Sequence, residues 1–200
     1  MKFNRRHFLG AMVVGSAGLA PSNSFAATLC GEMPVLLPNA LAALESHSTR
    51  IVKRDVIGIV NFAAHSRLPR FQLIDLVGGR VLKTMLVAHG SGSDPAASGW
   101  TERFSNRPGS NASSKGAFVT GPVYHGKHGR SRKLLGLDPL NEAAERRAIV
   151  IHGADYVDQS LALSQGRIGR SQGCFAVSRP DIGDLLDLLG EGRMLFAWKY

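Results

Sequence analysis

From Arg70 to Ala88 the chain reads RFQLIDLVGGRVLKTMLVA, two strand-like runs on either side of Gly78-Gly79. Paired glycines supply the positive φ angles of a tight turn, so the stretch predicts a β-hairpin. Further short runs of the same kind follow: Asp55 to Ala63 (DVIGIVNFA), Gly116 to Thr120 (GAFVT), Arg147 to His152 (RAIVIH), Cys174 to Val177 and Met194 to Trp198. Helical spacing is confined to two places. Over Asn39 to Ser48, Leu36, Leu37, Leu41 and Leu44 share a face. After Ser178, a capping residue with Pro180 in the first turn and Asp181 three residues on, Ile182, Leu185, Leu186 and Leu189 form another apolar face that Gly190 and Gly192 end. Short strands dominate, and the expectation is a mainly β sandwich or barrel-like core with two or three helices. His89 to Gly116, rich in Gly, Ser, Asn and Pro, reads as a long irregular loop, and Pro122 to Gly136 also reads as loop.

The start of the chain carries a different message. Arg5-Arg6, an apolar stretch from Phe8 to Ala20 and Ser24-Phe25-Ala26 together read as an export signal of the twin-arginine type. The apolar stretch is too short and glycine-rich for a membrane span of ~20 residues, so no stable membrane insertion is expected after cleavage. The organisation expected is a signal over 1–26, an N-terminal helical segment over 27–54 and one domain over 55–200, with the mature protein in the periplasm. The full chain has 24 basic and 15 acidic residues, net +9; loss of Lys2, Arg5 and Arg6 leaves +6. Such a charge attracts anionic polymers. Export and the lack of a dense basic run with interleaved aromatics argue against nucleic acid and leave cell wall or lipid headgroups.

Two cysteines occur in 200 residues. Cys30 lies near the start of the mature chain, and a Cys30–Cys174 disulfide is one reading in an oxidising compartment. Cys174 sits in IGRSQGCFAV (168–177), after a glycine and before an apolar run. A thiol becomes a nucleophile as thiolate; its ordinary pKa of about 8.5 falls beside an imidazolium. His152, at the end of RAIVIH, can be aimed from a rigid strand end as the base. Gly173 lets the backbone approach closely, so the Gly173 and Cys174 N–H groups are expected donors to a developing oxyanion. On spacing alone, a core cysteine and a hydrogen-bonded strand-end histidine fit equally well. A zinc site built from His125, His128, His152 and Cys174 is a rival, but Gly126 and Gly129 argue against the helix that would put His125 and His128 on one face. The order His before Cys disfavours papain-like and amidase arrangements.

At these residues the chain resembles the L,D-transpeptidase (YkuD-like) catalytic domain family, in its murein L,D-transpeptidase branch. The resemblance rests on His152-Gly153-Ala154 and Arg170 to Val177 (RSQGCFAV), with support from the hairpin bearing Asp75, VAHGSGSD at 87–94, SKGAF at 114–118 and YHGKHGRS at 124–131. It covers roughly Val56 to Tyr200. The resemblance implies a cysteine transpeptidase acting on peptidoglycan stem peptides without a cofactor or metal. Cys174 would be the nucleophile, His152 the base and Gln172-Gly173-Cys174 the oxyanion turn. Ser171, Gln172, Arg170, Tyr124 and His125 would contact substrate. The better-known branch has His where this chain has Gln172 and often Arg where it has Ala176; Arg170 could stand in for that arginine. The group orienting His152 is often a backbone carbonyl in this family, with Asp155 and Asp158 as nearby candidates. A non-catalytic wall-binding module is the reading from another class.

Overall fold

The computed structural model describes residues 33–200. The expected signal over 1–26 and Cys30 lie outside them. In chain order the elements are α1 (Leu37–Ser46), β1 (Val56–Asn61), β2 (Phe71–Asp75), β3 (Arg80–Met85), β4 (Gly116–Gly126), β5 (Gly129–Gly136), β6 (Val150–Gly153), α2 (Gln159–Ser164), β7 (Phe175–Val177), α3 (Arg179–Leu188) and β8 (Met194–Trp198). One 3-10 turn, Ser91–Ser93, lies between β3 and β4. The mainly β fold with three helices agrees with the sequence. The strands join in a single eight-stranded sheet of order β3-β2-β1-β8-β4-β5-β6-β7. It is mixed: β1 with β8 and β6 with β7 run parallel, and the other neighbours are antiparallel.

Alternation along the strands feeds two cores, one on each face. On β8, Leu195 and Ala197 join Phe62, Phe71, Phe118, Phe175 and α3's Leu185 and Leu186. Met194 and Phe196 point to the other face, where Ile57, Ile59 and Val119 pack on α1 through Leu36, Ala40 and Leu44. The helix expected over 39–48 therefore forms and shares its core with the central strands. Gly58 sits where β1 is crowded: a Cβ there would lie 2.9 Å from the Phe71 ring and 3.0 Å from Leu195. A smaller apolar cluster, with Ala88, Ile168 and Ala176, lies under α2. α3 starts as the sequence suggests: Ser178 accepts from the Asp181 N–H, with Pro180 in the first turn. α2 was not foreseen; Asp158 caps it by accepting from the Ser160 N–H.

The largest departure from the sequence reading is the β4–β5 hairpin. The short strand expected over Gly116 to Thr120 continues to Gly126, and the expected loop after Pro122 contains β5. The register shifts between Thr120 and Val123, so Pro122, which has no N–H to donate, falls in an irregularity of the ladder. The shift lets an outwardly polar strand carry on through Tyr124 and His125. Among the described residues no helix is long and apolar enough to cross a membrane.

Candidate active site

β6 and β7 run side by side with Ile151 opposite Phe175 and His152 opposite Ala176. This pairing puts the end of β6 and the turn before β7 on one groove of about 650 Å³, lined by both His152 and Cys174. Tyr124, Arg170, Ser171 and Gln172 line it too. His125 does not: it is exposed, paired across the hairpin with Arg130, and the alternation of a strand turns it to the face opposite Tyr124. Residues the sequence reading did not place at the site also line the groove, chiefly Lys127, Arg146, Arg147 and Tyr156. The hints the sequence held are that Arg147 opens the RAIVIH run leading to His152 and that Lys127 lies in YHGKHGRS. No Asp or Glu is among the described residues that line it.

The turn bearing Cys174 is fixed from several sides. The Ser171 hydroxyl donates to the Cys174 carbonyl at 2.7 Å and accepts the Gly173 N–H at 3.1 Å. The Gly173 amide, expected to face a substrate oxygen, is therefore engaged within its own turn, because a serine two residues earlier folds back onto it. What Gly173 supplies is conformation. Its φ is +113°, and a Cβ there would lie 2.7 Å from the Ala112 carbonyl oxygen and 2.8 Å from Ile149 Cδ1. Outside the turn, the Ser171 N–H donates to the His89 carbonyl and the Ser91 N–H to the Ser171 carbonyl, at 2.9 and 2.8 Å. Arg170 donates to the Asp94 carbonyl, which holds its guanidinium to the long 89–116 segment.

Cys174 carries a free, half-buried thiol. Its Sγ donates towards the Ala148 carbonyl at 3.6 Å. Ala148 has φ +53° and Asn111, also on the groove, φ +51°, so two non-glycine residues hold left-handed backbone where the site is assembled. Burial pushes the thiol pKa up, against the opposing pull of the Val150 amide, Lys127 and Arg147. The Arg147 guanidinium is held by the carbonyls of Ser105 and Ala112 and by the Ser110 and Ser114 hydroxyls.

His152 is buried at 2% exposure, yet its ring reaches the groove. Its Nδ1 donates to the Gly153 carbonyl at 3.1 Å, which leaves Nε2 with the lone pair. The orienting group is thus a backbone carbonyl. The two carboxylates considered from the sequence are occupied elsewhere, Asp155 with Arg179 and Asp158 as the cap of α2. Burial lowers the imidazole pKa, with the Gly153 bond opposing and His128, Arg179 and Lys127 adding repulsion. Burial thus disfavours the charged form of both groups. Among the described residues no group of three or more His, Cys, Asp or Glu could hold a metal ion.

A strand-end imidazole and a thiol on a clamped turn thus share one cation-lined groove beside a mixed sheet. The family model described as "L,D-transpeptidase catalytic domain" matches residues 33–198, and the chain belongs to that family. No curated protein matches it. Similar solved structures include an L,D-transpeptidase from Mycobacterium smegmatis, 15% identical over 72% of this chain and 58% of that one, TM-score 0.45. Another is an L,D-transpeptidase from Xylanimonas cellulosilytica, 17% identical over 80% and 70%, TM-score 0.43. A third is L,D-transpeptidase 3 from Mycobacterium tuberculosis, 12% identical over 72% and 61%, TM-score 0.45. The chain thus spans under two thirds of the Mycobacterium proteins' length.

Proposed function

We propose that this protein is a cysteine-dependent L,D-transpeptidase that acts on peptidoglycan tetrapeptide stems, in the periplasm, after export by its twin-arginine-type signal. The observation that carries the reading is the sharing of one groove by Cys174 and His152, with His152 Nδ1 on the Gly153 carbonyl and Nε2 free. His152 Nε2 takes the thiol proton as Sγ attacks the carbonyl of the third stem residue. The tetrahedral intermediate collapses, the bond to the terminal D-alanine breaks, and the departing amine takes the proton from His152. An amine of another stem then attacks the thioester and gives its proton to His152; the thiolate leaves and is reprotonated. With water as acceptor the same steps give an L,D-carboxypeptidase.

A groove lined by Lys127, Arg146, Arg147 and Arg170, and by no carboxylate among the described residues, suits a stem peptide that bears free carboxylates. The Cys174 N–H, with the positive field of Arg147 beside the sulfur, is the donor set for the oxyanion. Mass spectrometry of tetrapeptide-stem muropeptides incubated with the purified protein tests the reading. Cross-linked or tripeptide products that vanish in Cys174→Ala are expected. The same products from Cys174→Ala would overturn it, and no product from the wild-type protein would favour a non-catalytic wall-binding module.

A further inference from the structure

The β4–β5 turn places a second imidazole against the base. The His128 and His152 rings stack with centroids 4.2 Å apart and planes inclined by 19°. Both rings line the groove. We propose that His128 is a positioning residue for His152: its ring is the wall that holds the base's imidazole plane, and so the Nε2 lone pair, in the orientation the reaction uses. The inference rests on the reading of His152 as the base.

A single hydrogen bond from Nδ1 to Gly153 fixes one point of the His152 ring and leaves rotation about that point open. A flat partner on one face removes this freedom, because a tilted ring would collide with or part from its neighbour. The wall is itself anchored. The His128 carbonyl accepts from Arg179 Nη1 at 3.3 Å, and the same guanidinium is held by Asp155 at 3.0 and 3.2 Å. Asp155 thereby reaches the base indirectly, through Arg179 and the backbone of His128.

The stack also bears on protonation. The groups facing His152 are Lys127 and His128 from the β4–β5 turn, Arg179 from the start of α3 and the Gly153 carbonyl from β6; Cys174 faces the same groove from the turn before β7. Burial of the ring and three cationic or potentially cationic neighbours oppose its protonation, and the Gly153 carbonyl alone favours it. His128 is depressed as well, by burial and then by Lys127 and Arg179. Two imidazolium rings at this separation repel, so the stack keeps His152 in the neutral form that can accept a proton.

The test follows the His152 ring by NMR titration in the full-length protein alongside pH profiles of kcat and kcat/KM on muropeptides, for wild type, His128→Ala and His128→Phe. His128→Ala is expected to move the His152 titration upward, to carry the acid limb of kcat/KM with it, and to lower kcat by ~10–10²-fold with little change in KM, as misplacement of a reacting group does. His128→Phe keeps a ring at the stack and is expected to recover most of kcat. An unmoved His152 titration in His128→Ala, or a loss confined to KM, would overturn the proposal. The titration needs no turnover, so a wild-type protein inactive on peptidoglycan would sink the proposed function while leaving this inference decided by NMR.

Discussion

The Ser171 N–H donates to the His89 carbonyl at 2.9 Å, which ties the turn bearing Cys174 to a histidine whose own side chain is fully buried. His89 Nδ1 accepts from Arg70 Nη2 at 2.7 Å, and Nε2 donates to Asp94 Oδ2 at 3.2 Å. Arg70 also reaches the carbonyls of Val87 and Ala64, and Asp94 accepts from Ser98 and Gly99. The irregular 89–116 segment thus has a polar core of its own, and the cysteine turn is built on it.

Breaking this network by one partner should be costly. Asp94→Asn leaves the buried Arg70 charge without its counter-ion, and loss of one member of a buried pair costs about 3–5 kcal/mol. Urea unfolding should show a loss of that order. His152 and Cys174 stay in place in sequence, so any residual folded fraction should also show slower thiol acylation, because Ser171 has lost its mount.

His89 gives stability a pH dependence. Burial and the adjacent Arg70 push its pKa down to about 4. The folded protein therefore binds the proton less readily than the unfolded chain, whose histidine titrates near 6.5. The stabilisation is present in full above about 6.5 and is lost as pH falls from there towards about 4. Thermal midpoints measured across this window should fall, and His89→Gln should flatten this part of the profile. A wild-type midpoint constant from pH 7 to 4 would contradict the assignment.

Gly173→Ala should both destabilise and inactivate. Its φ of +113° and the Ala112 oxygen 2.7 Å from a would-be Cβ leave a side chain no room without moving the turn. Strain of this kind costs ~1–3 kcal/mol. Displacement of Cys174 should lower acylation more than the stability loss alone accounts for. Circular dichroism melts and a time course of muropeptide turnover read the two effects separately.

The thiol should be quiet at neutral pH in the absence of substrate. Because burial raises the Cys174 pKa and lowers that of His152, the alkylation rate with iodoacetamide should keep rising above the ordinary thiol range and show no plateau near pH 7. A plateau near neutrality would mean a thiolate–imidazolium pair in the free protein.

Much of this site could be read in the sequence because its parts are local. The His152 strand end, the Gly173 turn and the Ser178 cap each announce themselves within a few residues. What could not be read depends on long-range pairing or on small shifts of register. The β4–β5 hairpin was hidden because Pro122 and the three glycines up to Gly136 punctuate a segment whose pairing tolerates an irregularity at Thr120 to Val123. Tyr124 and His125 looked equivalent until a strand's alternation separated them. His128 was grouped with His152 and Cys174 only as a rival metal set, and the ring stack on His152 could not be read, since it depends on where the β4–β5 turn folds. The Gly173 amide looked free because the fold-back of Ser171 is a matter of side-chain rotamer.

β8 lies between β1 and β4 and pairs with both, parallel to one and antiparallel to the other. Residues 194–198 therefore seam together β3-β2-β1 and β4-β5-β6-β7, two sub-sheets that share no other strand. As the chain emerges from the ribosome, each sub-sheet can pair internally yet presents an unpaired inner edge until this late segment arrives. Closure across so wide a sequence interval is slow, since loop entropy must be overcome before the contacts repay it. Until that segment pairs, β1 and β4 each keep one open strand edge, the kind of surface that invites wrong partners.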